Sequence, residues 1–163
     1  MTPNATVPKW QTIAILIGRL IFAGVFIMGA GFKYADMEGT AGYIAAAGFP
    51  FSYLLAWLAA IFECVLVFCF LTGAFFSEAC LVAGVYVVFL AFAFHGPNLW
   101  AGNQAEFGFF VNHFTFLAGL LFVAANEPGR VLAWHKTLIG KSRSKASFCQ
   151  QLKTWVQSAK RRA

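Results

Sequence analysis

Arg19 and Glu63 place formal charge inside two long apolar stretches of the chain. A lone ion at the middle of a bilayer costs at least about 2.5–3.5 kcal/mol, so such residues turn inward, pair, and mark a candidate site for proton or ligand handling. Arg19 stands seven residues into the first stretch and Glu63 eight residues from the far end of the second. At 1.5 Å rise per residue, both then lie roughly 11–12 Å below one surface. The spacing predicts a buried Arg19–Glu63 ion pair across two antiparallel helices, either a lock on helix register or a charge relay. Desolvating a buried pair is costly, so the pair by itself argues weakly for stability.

A second polar group gathers toward the opposite end. Lys33 and Tyr34 follow the first stretch, His95 ends the third, and Asn112 and His113 stand one to two turns inside the fourth. By depth they share one chamber beneath the segment carrying Tyr43, with Trp100 and Gln104 at its rim. Two histidines could ligate a metal, but no third carboxylate ligand stands at that depth, and no metal is expected. Lys33, His95 and His113 suit an anion or the carbonyl head of a lipid-soluble quinone, with Lys33 and His95 orienting that head. The plainer alternative is that interfacial Lys, His and Tyr simply snorkel to water. The candidate ligand-binding set is Lys33, Tyr43, His95, Asn112 and His113; catalytic residues are not assigned.

Four helices must position these groups. Thr12–Phe32, Tyr53–Leu71, Ala79–His95 and Phe107–Ala125 are each about as long as the roughly 20 apolar residues a spanning helix needs. Between the first two, Glu38–Phe49 has Tyr43, Ile44 and Phe49 at helical spacing and stops before Pro50, which predicts a short helix at the outer leaflet. Gly73 reads as the C-cap of the second span, and a tight turn makes the second and third spans antiparallel neighbours. Ala79, Cys80, Ala83 and Gly84 form small-residue rows that permit close helix contact.

Composition supports the membrane class. Of 163 residues, 60% are hydrophobic and 11% charged, too much apolar surface for the interior of a soluble domain this size. Nine of the twelve Lys and Arg residues lie from Arg130 onward, and Lys9 precedes the first span. The positive-inside bias then places both termini in the cytoplasm with an even number of spans. Arg19 interrupts the first apolar run, which is too long for a signal-peptide core, so an uncleaved helix is expected.

Cys64, Cys69, Cys80 and Cys149 form no Cys-x-x-Cys pair and read as small hydrophobes rather than a dithiol centre. The chain divides into a leader at 1–11, a membrane domain at 12–128 and a basic tail at 129–163. In the tail, Phe148, Leu152, Trp155, Val156 and Ala159 fall on one helical stripe accompanied by Lys153, Lys160, Arg161 and Arg162. This predicts an amphipathic helix lying on the cytoplasmic leaflet or docking to a partner subunit, rather than on nucleic acid.

In order, Gly18-Arg19-Leu20, Gly31-Phe32-Lys33, Gly39-Thr40-Ala41-Gly42-Tyr43-Ile44 through Gly48-Phe49-Pro50, Glu63, Thr72-Gly73, His95 and Ala118-Gly119-Leu120-Leu121 resemble the DoxX family over roughly residues 13–127. The resemblance implies a four-helix integral protein of the bacterial inner membrane. Some relatives are subunits of a thiosulfate:quinone oxidoreductase, and others associate with membrane-bound defence against oxidants. The chain departs from the family pattern at Ser77-Glu78, where a basic residue is common, and at Asn112-His113-Phe114, where Lys-Asn is favoured.

The expected fold is all-α: an antiparallel four-helix transmembrane bundle with a short outer-leaflet helix and a C-terminal amphipathic helix. The expected function is a membrane component of a quinone-linked redox system. The alternative is a non-catalytic accessory subunit packed against a larger membrane complex. No redox cofactor is encoded, quinone is the one candidate, and the expected partners are membrane lipids and a redox partner subunit or larger complex. Whether the chain is itself an enzyme is left open by its residues.

Overall fold

The computed structural model describes residues 9–125. The leader residues before Lys9 and the basic tail, with the amphipathic stripe from Phe148 to Arg162, lie outside the described residues. Among those described, the chain folds into α1 (Lys9–Ala35), α2 (Met37–Ala46), α3 (Ser52–Thr72), α4 (Phe76–His95) and α5 (Gln104–Ala124), with a 3-10 turn at Pro97–Leu99 and no strand. All but α2 are long and apolar enough to cross a membrane. The protein is thus an all-α, multi-span membrane bundle.

Each span buries one stripe. On α1 the stripe is Arg19, Phe22, Ala23, Phe26 and Ala30, and on α3 it is Ala56, Ala60, Glu63, Leu66 and Phe70, both at three- and four-residue steps. The remaining faces expose large apolar side chains such as Ile21, Val85 and Phe122, surface that water would not tolerate and that lipid accepts.

The helices associate as two close pairs, α1 with α3 and α4 with α5, while α2 lies against α3. The short turn between α3 and α4 therefore does not make them the tightest neighbours. Bulky rings meet there, Phe62 with Tyr86 at 5.0 Å and Phe70 with Phe76 at 6.1 Å between centroids. The small residues of α4 serve α5 instead: a methyl added to Gly84 would sit 3.0 Å from Leu117 Cδ1. Aromatic rings join the two pairs, Phe22 of α1 edge-on to Phe116 of α5 at 5.0 Å and Phe26 of α1 tilted against the same Phe116 ring at 5.9 Å.

The connections are locally encoded. Asp36 continues the hydrogen bonding of α1 through its own N–H to Phe32 O, and its carboxylate accepts from Gly39 N at 2.8 Å to cap α2. Gly73 caps α3 at φ 70°, its N–H donating to Cys69 O at 2.8 Å, the role its position predicts. Phe51 and Phe75 precede α3 and α4 at φ 55° and 50°, a left-handed conformation unfavourable for a side chain.

Candidate functional site

Glu63 is the buried carboxylate around which one wall of the site is built. Both its oxygens accept from Lys33 Nζ, at 2.8 and 2.9 Å, and Oε1 also accepts from the Tyr86 hydroxyl at 2.8 Å. Lys33 reaches it by folding back along its own helix, where Nζ also donates to Gly29 O at 3.3 Å. The absence of a side chain at Gly29 admits the carboxylate, since a Cβ there would lie 3.0 Å from Oε2.

The partner predicted for Glu63 was Arg19, and the structure corrects this. Arg19 is buried, but its Nε donates to Phe70 O at 3.0 Å and its Nη2 to Leu71 O at 2.8 Å, with the guanidinium 5.6 Å from the centre of the Phe76 ring. Phe70 and Leu71 belong to the last turn of α3, whose carbonyls lack helical partners and whose dipole favours a cation. Phe70 lies seven residues from Glu63, roughly 10 Å along the axis. Depth counting ended the first span at Phe32. The helix continues to Ala35, so Lys33 is held on it and its flexible stem descends to the carboxylate.

Beneath α2 lies a cavity of about 840 Å³. Its walls are mostly apolar, including Phe32, Phe49, Leu58, Phe89 and Phe94, and its polar side chains include Lys33, Tyr43, Tyr86, His95 and His113. Four members of the set proposed from sequence thus share this chamber. Asn112 does not: it is exposed on α5 and absent from the lining, because its neighbour His113 takes the inward face. Gln104 is exposed, and Trp100 packs behind His95, its indole N–H donating to His95 O at 2.9 Å.

Glu106, just ahead of the span predicted to start at Phe107, stands in the first turn of α5 and faces His95, with 2.6 Å between Oε2 and Nδ1. The signal available was the short Gly- and Pro-containing connection after His95, which must return α5 alongside α4. Tyr86, also missed, stands out as a phenol inside a span. His113 Nδ1 lies 2.7 Å from Phe109 O, and the two imidazole rings are 5.2 Å apart. Tyr43 stacks on Phe94 at 5.0 Å; burial, together with the charge of Glu106, pushes its phenol above the usual value and keeps it neutral.

A count of hydrogen-bonding capacity separates these groups. Lys33 has three ammonium protons and three acceptors around it, two on Glu63 and one on Gly29. Its ammonium is turned toward these acceptors of the protein itself. The carboxylate and the carbonyl can only accept, so His95 and His113 each carry a proton on Nδ1. Their Nε2 atoms and the Tyr43 hydroxyl have no hydrogen bond among the described residues. No group of three His, Cys, Asp or Glu able to hold a metal occurs there either, and Cys64, Cys69 and Cys80 are free thiols.

Four apolar spans around a polar-edged cavity, roofed by a short helix, define a small integral membrane protein. The chain belongs to the DoxX family, whose model matches residues 14–96, about half of the sequence. That match takes in Arg19, Lys33, Glu63, Tyr86 and His95 and ends before Glu106 and His113. No curated protein and no solved structure matches the chain.

Proposed function

We propose that this protein is a membrane component of a quinone-linked redox system and that the cavity beneath α2 holds the ligand head. One observation carries the reading: a cavity of about 840 Å³, within the range of small-molecule sites, has apolar walls and a few polar groups converging from α1, α2, α4 and α5. Glu63, neutralised by Lys33 and bonded to Tyr86, stiffens one side; His95 and His113 present the other. Electrons come from a partner or from the substrate, since the residues encode no redox centre of their own. In this reading the protein sits in a bacterial inner membrane with both termini cytoplasmic, the α2 end faces outward, and the basic tail engages anionic lipid.

The test is purification in mild detergent, extraction of bound isoprenoid quinone, and titration with decylubiquinone followed by tryptophan fluorescence. Recovery of bound isoprenoid quinone, or saturable binding of decylubiquinone, supports the proposal. A second reading, an accessory subunit, is favoured by α5, where Leu120 is the one fully buried residue and Phe107, Phe109, Val111, Leu121 and Phe122 are exposed. Stoichiometric recovery with a larger complex, and no binding of quinone, would replace the first reading by the second.

A further inference from the structure

The geometry points to a hydroxyl-bearing aromatic head, a phenol or quinol, as the form this cavity prefers, its hydroxyl donating to His95 Nε2. This rests on the function proposed above and names which form of the ligand is bound. A quinone carbonyl brings only lone pairs and needs a donor. Lys33 would be the natural one, but its Nζ is turned to Glu63 Oε1, Glu63 Oε2 and Gly29 O. The Tyr86 hydroxyl is likewise given to Glu63. What the walls leave uncommitted is mainly acceptor: with Nδ1–H turned toward Glu106 and toward Phe109 O, the lone pairs of the two imidazoles sit on Nε2. A carbonyl oxygen set against such nitrogens leaves both sides unsatisfied, whereas a hydroxyl satisfies one of them.

His95 is the better acceptor of the two. The Glu106 carboxylate behind its Nδ1 fixes the ring and holds the proton on that nitrogen, leaving Nε2 to accept; His113 has only a carbonyl there. The other titratable groups around this position are Tyr43 from α2 and Lys33 from α1, the first a neutral phenol and the second neutralised by Glu63. Tyr43 is the single uncommitted donor on the wall, and it can donate to the oxygen of the bound hydroxyl without competing for its proton.

The experiment compares three probes on the full chain in detergent: 4-nonylphenol, its methyl ether, and decylubiquinone. The phenol is expected to bind about tenfold more tightly than the ether, the worth of one hydrogen bond. His95→Ala should bring the phenol down to the ether's affinity in the same variant, and retained ether binding reports that the cavity is intact. His95→Gln, with an amide oxygen near the position of Nε2, should restore part of the difference. Equal binding of phenol and ether, or a preference that survives His95→Ala, overturns the inference. Decylubiquinone binding in that case leaves the proposed function standing, and binding of none of the three overturns both.

Discussion

Gly29 and Glu63 face each other across the α1–α3 contact so closely that a methyl group on the glycine would lie 3.0 Å from the carboxylate Oε2. Gly31, two residues on, has nothing within 4 Å of the equivalent position. The two sites carry opposite expectations. Gly31→Ala should stabilise the helix by up to about 1 kcal/mol through propensity alone. Gly29→Ala should lower stability, because the same gain is offset by displacement of Glu63 from Lys33. Denaturation midpoints in SDS–detergent mixtures would show the two variants moving in opposite directions.

The Lys33–Glu63 pair is expected to behave as a unit. Glu63→Gln alone strands a partly buried ammonium and should cost roughly 3–5 kcal/mol, whereas Glu63→Gln combined with Lys33→Met should cost less. Arg19→Met should simply add to Glu63→Gln, since the two side chains hold different partners. A coupling energy between positions 19 and 63 larger than that between 33 and 63 would contradict the structure.

Arg19 should prove important through the backbone it serves. Its loss orphans the carbonyls of Phe70 and Leu71, at about 1–3 kcal/mol for each buried acceptor. Arg19→Lys should recover only part of the loss, because one ammonium lacks the planar fork that reaches both oxygens. Hydrogen exchange at the end of α3 and the start of α4 would rise in Arg19→Met before it rises near the cavity.

Phe51 holds a left-handed backbone at φ 55° with its ring 79% exposed. Phe51→Gly should therefore gain about 1–2 kcal/mol, little packing being lost. A lower denaturation midpoint would show that the ring anchors the protein in a way its contacts do not.

Asn112 and His113 are adjacent but unequal. Asn112→Ala should leave probe binding unchanged, since the residue does not line the cavity, while His113→Ala should weaken it. A quinone or phenol titration of both variants distinguishes them.

The spans were legible because a run of apolar residues with the right length has one stable solution in a bilayer. Thr12–Phe32 became Lys9–Ala35, and Tyr53–Leu71 became Ser52–Thr72. The chamber was legible too, since Lys33, Tyr43, His95 and His113 lie near helix ends that antiparallel packing must bring together. The pairings were not. Depth fixes a residue to about a turn, but a lysine stem can travel further than that, and carbonyls at a helix end compete with carboxylates for a guanidinium. Neither is visible in residue types. Glu106 was hidden for a simpler reason: α5 starts earlier than its hydrophobicity suggests, so a residue read as loop stands on a helix opposite His95.

Arg19 and Lys33 stand four turns apart on α1, and both grip α3, one at its C-terminal carbonyls and one at Glu63. Sliding or rolling α1 along α3 would break both grips at once, so these two helices form a fixed frame. Toward α4 and α5 that frame offers ring contacts, the Arg19 guanidinium over Phe76 and the Tyr86 hydroxyl, of which the ring contacts tolerate small shear. The roof α2 packs on α3 and belongs to that frame, so relative movement falls to the α4–α5 pair.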